Sequence, residues 1–285
     1  SFARKGVVPE LPEVETMRRG LAPIIGGVIR TVEKPRCKRK PISVKPGWPQ
    51  LRKKLVGQRV ARIDRLGKRV ILVTDGELRL VIEPRMTGLV ALDEVPTQQH
   101  LRLRISLQDA AAPQMLFWDR RGLGTLRLFT AEEFAEQLGP ERIGPDALDC
   151  ALADFRDRLG ESRRAIKVAL LDQKAIAGIG NLYASEMLHR AAIAPQLACH
   201  ELTPTQWRKL HRAMQTILQN AILYEGSTLG DGTYRNALNQ SGEYQNHHKV
   251  YDREGEACGR CKTHEITRIV QAQRSTFYCP NCQAC

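Results

Sequence analysis

The chain has 285 residues, which is enough for two domains, and its 44 Lys and Arg residues outnumber its 31 Asp and Glu residues, giving a formal net charge of +13. This surplus is typical of a protein that binds a polyanion. It favours nucleic acid over a membrane, because no stretch approaches the roughly 20 apolar residues of a membrane-spanning helix. The segment 1–8 has no apolar run of signal-peptide length, so the sequence predicts a cytosolic protein.

The segment 9–15 reads Pro-Glu-Leu-Pro-Glu-Val-Glu and predicts the start of a helix. Pro12 suits a first helical turn, and acidic residues near it complement the positive end of the helix dipole. Apolar residues then repeat at helical spacing until Gly26-Gly27 end the pattern: Val14, Met17, Leu21 and Ile25.

Pro9 and Glu10 also allow a catalytic interpretation. A proline at a chain's N-terminus carries a secondary amine, which can act as a nucleophile beside the Glu10 carboxyl. A proline inside a chain carries a tertiary amide with no free lone pair. Because residues 1–8 precede Pro9, the catalytic interpretation requires their absence from the working protein.

Residues 28–129 contain mainly strand patterns, which predict an antiparallel sandwich or barrel packed with the opening helix. Leu101–Leu107 alternates strictly, so we expect one buried face and one basic, solvated face. The other clear strands are Val28–Val32, Val70–Val73 and Leu78–Ile82.

After a Gly-Pro-rich segment that suits a linker, the pattern becomes helical. A loop rich in Gly and Asn follows the last helix, from Gly226 to about Asn246. The predicted helices are Ala151–Leu159, Ile166–Gln173, Leu182–Ala192 and Thr205–Tyr224.

The turn Gly178–Asn181 reads Gly-Ile-Gly-Asn and lies between two of these helices. Glycines allow a close backbone approach to phosphate, a helix N-terminus offers free N–H groups, and Asn181 adds a side-chain donor. Alone, such a turn is usually a plain helix connection. In a basic chain it is also a reasonable clamp for a nucleic-acid backbone.

Four cysteines near the end of the chain have the spacing of a four-thiolate zinc site. They form two Cys-x-x-Cys pairs with 17 residues between them: Cys258, Cys261, Cys279 and Cys282. Residues 266–270 and 275–278 suit the two strands of a hairpin between the pairs. Two disulfides are the alternative, and Cys285 is a further possible ligand at the frayed end of the chain.

The remaining candidates near the metal site have plainer interpretations. We interpret Cys37, Cys150 and Cys199 as ordinary thiols, and His247 and His248 as loop residues rather than ligands. Arg274 falls near the predicted hairpin turn, where it could enter a groove or grip a phosphate, or serve only as an exposed cation.

Taken together and in order, these motifs resemble the formamidopyrimidine-DNA glycosylases, bifunctional repair enzymes related to endonuclease VIII. The resemblance covers residues 9–282, and the form Pro-Glu-Leu-Pro-Glu-Val favours this branch over endonuclease VIII. It depends on residues 9–15, Gly67-Lys68, Arg85–Gly88, Asp119–Gly124, Asp172-Gln173, Gly178–Glu186 and Gln273–Cys279.

The resemblance implies an α+β, multidomain fold with damaged double-stranded DNA between the domains. The implied order is an N-terminal antiparallel β-sandwich with a helix, a helix-two-turn-helix domain and a C-terminal β-hairpin zinc finger with one structural zinc ion. The expected parts are an extension 1–8, a catalytic domain 9–138, a linker 139–147, a helical domain 148–246 with a lid loop 226–246, and a finger 247–285.

The resemblance also implies the chemistry. The enzyme extrudes an oxidised purine from the duplex, and the amine of Pro9 attacks C1′ while Glu10 supplies a proton during sugar-ring opening. Elimination reactions then cut the strand on both sides. Lys68 matches the lysine of β-elimination and phosphate contact, Arg274 the arginine of δ-elimination, and Asn181 a phosphate ligand. Three residues match those that fill the vacated stack: Met86, Arg121 and Leu123.

The chain departs from the family pattern in several places. The family begins at the proline, and Val8 stands where the initiator methionine would be, so we hypothesise that residues 1–8 are an overcalled start or are processed away. Glu83-Pro84 replaces His-Leu, which exchanges a phosphate-binding group for an anion. Leu123 replaces a phenylalanine wedge, and the extra residue between the cysteine pairs predicts a bulge in the hairpin.

Two alternatives remain open at this point. The same chemistry could act on oxidised pyrimidines, as in endonuclease VIII. If residues 1–8 are retained, the chain is instead a non-catalytic, zinc-dependent DNA-binding protein. In either case we expect a monomer in the cytoplasm of a bacterium, with no membrane partner.

Overall fold

The opening helix α1 spans Leu11–Gly20 and buries Val14 and Met17 completely. It ends earlier than the spacing predicts, and a single 3₁₀ turn, Ala22–Ile24, follows it. The reason is Pro23, which has no backbone N–H and disfavours a helical conformation at the residue before it. The structure, a computed structural model, describes residues 8–228 and 242–284.

Two sheets follow α1. A four-stranded antiparallel sheet has the order β1-β7-β8-β6, and a five-stranded sheet has the order β2-β9-β5-β4-β3, in which only the β2–β9 pair is parallel. The strands are β1 Val28–Glu33, β2 Ser43–Lys45, β3 Val60–Leu66, β4 Arg69–Thr74, β5 Arg79–Glu83, β6 Gly88–Ala91, β7 Leu101–Gln108, β8 Gln114–Asp119 and β9 Thr125–Phe129.

Side chains of both sheets and of α1 share one hydrophobic core, so the predicted sandwich with a helix is confirmed. Leu72 from one sheet, Leu103 from the other and Val14 from α1 are each fully buried within it. Two shorter helices complete this part of the chain, α2 Trp48–Leu55 and α3 Ala131–Leu138.

The expectation of a solvated basic face on β7 is wrong at Arg102, whose side chain is buried. Its Nε donates to the carbonyl oxygen of Asp119 at 2.8 Å, and its Nη1 donates to the carbonyl oxygen of Lys40 at 2.9 Å. Two backbone carbonyls thus replace much of the water that a guanidinium loses on burial.

The second part of the chain is helical. Its helices are α4 Leu152–Leu159, α5 Ile166–Ala169, α6 Asn181–Ala191 and α7 Pro204–Leu223. Helix α5 is four residues shorter than predicted. The reason lies at Gln173, whose side-chain amide accepts from the N–H of Gly178 and donates to the carbonyl of Ile179, so the chain leaves the helix to form a turn.

A buried carboxylate fixes the segment that leads into the last part of the chain. Glu186 of α6 accepts hydrogen bonds from the backbone N–H groups of Lys249, Val250 and Tyr251. Burial raises the pKa of the Glu186 carboxyl, although the three N–H groups act to lower it.

The chain then forms the predicted hairpin, with β10 Thr267–Gln271 and β11 Arg274–Tyr278. Gln271 pairs with Arg274, so Ala272 and Gln273 form a two-residue turn, and both have positive φ. The predicted bulge is wrong, because the pairs run from end to end without a shift in register. The extra residue is therefore accommodated outside the ladder.

Contacts divide the described residues into two units. One contains residues 8–139 with 222–228 and 242–245, and the other contains 140–221 with 246–284. Residues 1–7 of the predicted extension, residues 229–241 of the predicted lid and Cys285 lie outside the described residues. None of the described helices has the length and apolar character that a membrane crossing requires.

Candidate active site and metal centre

Pro9 and Glu10 immediately precede α1, and both are buried, whereas Val8 is 37% exposed. The backbone N–H of Glu10 donates to the Glu13 carboxylate at 2.9 Å. The other oxygen of that carboxylate accepts from the N–H of Ser227, also at 2.9 Å. Glu13 therefore fixes the backbone beside Pro9 and connects it to a segment far along the chain.

The Glu15 carboxylate forms ion pairs with three arginines. It accepts from Arg18, Arg19 and Arg65 at 2.8–2.9 Å, and both it and Arg65 are almost completely buried. Burial acts to raise the pKa of Glu15, but the hydrogen bonds from the three arginines outweigh it and lower the pKa to about 2. The sequence predicts only a helix-dipole role for Glu15, as one of the acidic residues near Pro12.

The Arg65 guanidinium contacts both Glu15 and the turn that carries the predicted catalytic lysine. Its Nη1 donates to the carbonyl of Gly67 at 3.0 Å, in the turn between β3 and β4. Gly67 has φ +54°, and the half-buried Lys68 follows it. Helix α1 packs against β3 and β4, so Glu15 and Arg65 position the Lys68 turn relative to the helix that Pro9 and Glu10 precede.

Met86 and Arg121, which sequence placed in one functional group, lie on adjacent segments. Met86 sits in the tight turn between β5 and β6, which the N–H of Gly88 closes by donating to the carbonyl of Pro84. Strand β6 pairs with β8 so that Gly88 lies opposite Asp119, just before the loop that carries Arg121.

Asp119 joins these two segments and is fully buried. One oxygen accepts from the hydroxyl of Thr87 and from the N–H of Arg121. The other accepts from the N–H of Gly124 at 2.8 Å. The half-buried Leu123 lies between the two anchored N–H groups. Asp119 belongs to a recognisable motif, but its neighbours in sequence do not reveal this role.

Gly122, in the same loop, has a steric role. Its φ is +66°, and a Cβ atom there would lie 2.2 Å from the carbonyl oxygen of Lys40. Arg102 binds that same carbonyl and that of Asp119. The loop with Arg121 and Leu123 is therefore held against the segment around Lys40, and only glycine fits at this point.

Glu83 does not stand alone as an anion. It forms ion pairs with Arg69 at 3.6 Å and with Arg85 at 3.2 Å, so two cations face one carboxylate beside the Met86 turn. The Arg85 side chain is 55% exposed, and its backbone has positive φ.

In the helical unit, Asn181 is the first residue of α6 and its side chain has partners at both ends. Its Oδ1 accepts from the ammonium of Lys167 at 2.7 Å, and its Nδ2 donates to the carbonyl of Ser275 at 2.9 Å. Lys167 is fully buried and also donates to the hydroxyl of Thr276 at 3.1 Å. The Nδ2 group has a second N–H, which can donate to a phosphate while both of these bonds remain.

Arg274 is the first residue of β11, directly after the hairpin turn, and it is exposed. This agrees with its expected position near the turn. Lys167 and Thr276, which hold Asn181 beside the same strand, were missed in the sequence, since a lone Lys on a short helix has no distinguishing spacing.

The four predicted cysteines converge. Their sulfur atoms all lie within 4.8 Å of one another, with Cys258 and Cys282 separated by 3.9 Å and Cys261 and Cys279 by 3.7 Å. A tetrahedral zinc ion with bonds of about 2.3 Å to sulfur requires sulfur–sulfur distances of about 3.8 Å, so the cluster fits zinc. A disulfide would require about 2.05 Å, which excludes that alternative for these pairs.

The other described cysteines and the two neighbouring histidines lie outside the cluster of four sulfur atoms. Cys37, Cys150 and Cys199 are free, and neither His247 nor His248 belongs to the cluster. The metal would be held by Cys258, Cys261, Cys279 and Cys282, which are the four positions of the sequence prediction.

Three protein-family models match consecutive parts of the chain. They are the formamidopyrimidine-DNA glycosylase N-terminal domain over residues 8–126, the H2TH domain of the same enzymes over 138–232, and a zinc finger found in these enzymes and in IleRS over 255–284. A formamidopyrimidine-DNA glycosylase from Chloroflexus aurantiacus is 40% identical over 97% of this chain and 98% of its own length. The chain belongs to the formamidopyrimidine-DNA glycosylase family.

Other members of the formamidopyrimidine-DNA glycosylase family agree in sequence and fold. The Bacillus subtilis enzyme is 36% identical over 97% of this chain and 99% of its own length. The crystal structure of MutM (Fpg) from Thermus thermophilus superposes with a TM-score of 0.83 at 36% identity, covering 96% of this chain and 98% of that one. The predicted multidomain fold and the zinc finger are thereby confirmed.

Several solved relatives contain DNA, and two of them show the kind of lesion that was bound. A MutM in complex with DNA that contains carbocyclic 8-oxo-G has a TM-score of 0.84 at 34% identity, and the Lactococcus lactis Fpg in complex with DNA that contains an abasic site has the same values. Each covers 97% of this chain and all of its own.

Proposed function

We propose that this protein is a base-excision repair enzyme that binds damaged duplex DNA, removes oxidised purines and cleaves the resulting abasic strand. Family membership over nearly the whole chain supports the glycosylase and lyase activity. The lesions in the solved relatives, 8-oxo-G and an abasic site, support the substrate class. The observation that carries the proposal is the buried Pro9-Glu10 pair, which the Glu13 carboxylate fixes at the start of α1.

The first chemical step belongs to Pro9. With its nitrogen as the free N-terminal secondary amine, Pro9 attacks C1′ of the damaged nucleotide, and the bond from C1′ to the base breaks with its electron pair leaving on the base. The Pro9 nitrogen then loses its proton, and the bond from C1′ to the ring oxygen breaks, which leaves an iminium between Pro9 and the sugar. Glu10 donates a proton to the ring oxygen as the sugar opens.

The strand is then cut by two eliminations. The iminium makes a C2′ proton acidic, and its removal expels the 3′ phosphate, after which a second elimination expels the 5′ phosphate. We assign the first proton transfer and a phosphate contact to Lys68, and the second elimination to Arg274. Met86, Arg121 and Leu123 fill the space that the extruded base leaves, and Asn181 binds a phosphate.

Zinc supplies no step of this chemistry. When bound, the ion links the two cysteine turns and so stabilises the hairpin that carries Arg274. The proposal includes a monomer that acts in the cytoplasm of a bacterium, and the organisms of two relatives, Chloroflexus aurantiacus and Bacillus subtilis, support the bacterial source.

Borohydride trapping on abasic DNA tests the proposal. A chain that begins at Pro9 should form a reduced covalent complex, and a matched chain that begins at Ser1 should form none, because its Pro9 nitrogen is an amide. If the chain beginning at Pro9 binds the DNA but is never trapped, the lyase mechanism is wrong and the non-catalytic DNA-binding alternative replaces it. A panel of oxidised purines and oxidised pyrimidines in the same duplex then decides the substrate class.

A further inference from the structure

His189 is a buried histidine that the proposed DNA chemistry does not use. It lies near the C-terminal end of α6 and is 4% exposed. Its Nε2 is 3.6 Å from the sulfur of Cys258, which is itself completely buried. This distance is within the range of a hydrogen bond to sulfur.

The chemistry of a bound metal fixes the direction of this hydrogen bond. A cysteine that ligates zinc is a thiolate, which has no proton and can only accept. The His189 ring must therefore carry its proton on Nε2 and donate it to Cys258. Four thiolates around one Zn²⁺ leave a net charge of −2 in a largely buried place, and an N–H donor directed at one sulfur offsets part of that charge.

The same helix has other attachments to this part of the chain. Asn181 at its first turn donates to the carbonyl of Ser275 in β11, and Glu186 accepts the three N–H groups of residues 249–251. His189 adds a contact directly to a metal ligand. The His189 ring therefore lies on a helix that contacts this part of the chain at three separate points.

We propose that His189 is a positioning residue of the zinc centre: its Nε2–H holds the Cys258 thiolate in the tetrahedral arrangement and slows loss of the metal. The proposal concerns zinc retention and does not depend on Pro9 or on DNA, so its failure would leave the proposed repair function untouched.

Zinc release from the full, zinc-loaded chain into excess chromogenic chelator tests the proposal. His189→Leu keeps most of the volume but removes the donor, and we expect release about 10-fold faster. His189→Gln places an amide N–H at a similar reach, so release should stay within about 3-fold of the parent. The matched control is His200→Gln, an exposed histidine of the same unit that lies outside the cysteine cluster; it should behave as the parent.

The outcomes separate a hydrogen bond from simple packing. Parent-like release by His189→Leu, or faster release by His189→Gln than by His189→Leu, would overturn the proposal. So would an equal acceleration in His200→Gln. A second measurement needs no variant: in the ¹¹³Cd-substituted protein, the His189 ring proton should show scalar coupling to the metal through the Cys258 sulfur, and its absence would contradict the assignment.

Discussion

Thr87 and Asp119, which are 32 positions apart in the chain, join their side chains in a buried hydrogen bond. Through this bond the turn that carries Met86 and the loop that carries Arg121 become one structural element. Both oxygens of Asp119 also accept backbone N–H groups of that loop. The residues proposed to fill the vacated base stack therefore depend on a single carboxylate.

Asp119→Asn should destabilise the protein by about 2–3 kcal/mol, because an amide NH₂ would face a buried N–H group that now has an acceptor. We also expect weaker preference for the base opposite the lesion. Urea denaturation and opposite-base kinetics measure the two effects. Thr87→Val removes one donor to Asp119 and one of the two acceptors of the Arg121 N–H, so it should cost about 1 kcal/mol. An unchanged urea midpoint in Asp119→Asn would show that the carboxylate does not organise the loop.

Gly122→Ala should cost more than ordinary left-handed strain. The new Cβ would lie 2.2 Å from the carbonyl oxygen of Lys40, whereas a Cβ at Gly57, which also has positive φ, would meet no atom within 4 Å. Gly57→Ala is therefore a matched control that reports the cost of positive φ alone, about 1–2 kcal/mol. We expect thermal or urea unfolding to place Gly122→Ala at least about 1 kcal/mol below it. Equal losses would exclude the clash.

Leu123→Phe should increase discrimination of the base opposite the lesion. Stacking of a base on an aromatic ring is worth about 1–3 kcal/mol relative to alanine, and leucine supplies only part of this energy. Excision rates on duplexes that differ only in the opposite base measure the effect, with Leu123→Ala as the control expected to discriminate less than the parent. Unchanged preference in Leu123→Phe would refute the assignment of this residue as the wedge.

Glu83→Gln should tighten DNA binding, because it removes the anion that now neutralises one charge of Arg69 and Arg85. We expect a gain of about 3–10-fold at moderate salt, with a steeper salt dependence. Glu77→Gln makes the same change in net charge at an exposed carboxylate that pairs with Arg62 and Arg79. It should change affinity by less than about 2-fold. Equal effects of the two substitutions would show that Glu83 acts only through the net charge of the protein.

Glu15 predicts a specific loss of stability in acid. Its pKa is about 2 in the folded chain against an ordinary value of 4.5, so its contribution is fully present above about pH 4.5 and is lost as the pH falls toward 2. The difference in urea midpoint between the parent and Glu15→Gln should therefore be smaller at pH 3 than at pH 7. The difference at pH 7 should be on the order of 2 kcal/mol. Both proteins have the same zinc site, so the acid sensitivity of that site cancels in the comparison. A stability difference between the two proteins that does not change with pH would contradict the assignment.

Signals between neighbouring residues predicted much of the molecule. The two Cys-x-x-Cys pairs converge because each makes its own turn, and the alternation of Leu101–Leu107 predicted the strand observed as Leu101–Gln108. The same alternation failed at Arg102, where two carbonyls from other segments bury the guanidinium.

Contacts between residues that are far apart in the chain could not be predicted from the sequence. Lys167 and Thr276 are 109 positions apart, and nothing near either residue indicates the other. Glu15 shows the same limit. Two of its arginine partners lie on its own helix, but the third, Arg65, lies on a strand 50 positions away and also donates to the carbonyl of Gly67.

The buried ammonium of Lys167 has one further consequence. Since it binds the amide of Asn181 and the hydroxyl of Thr276 at once, a change at position 276 alters the surroundings of position 181 without touching DNA. Across related enzymes these three positions should be inherited as a set. A hairpin exchanged between two relatives should support DNA binding only when it carries a hydroxyl side chain at the position of Thr276.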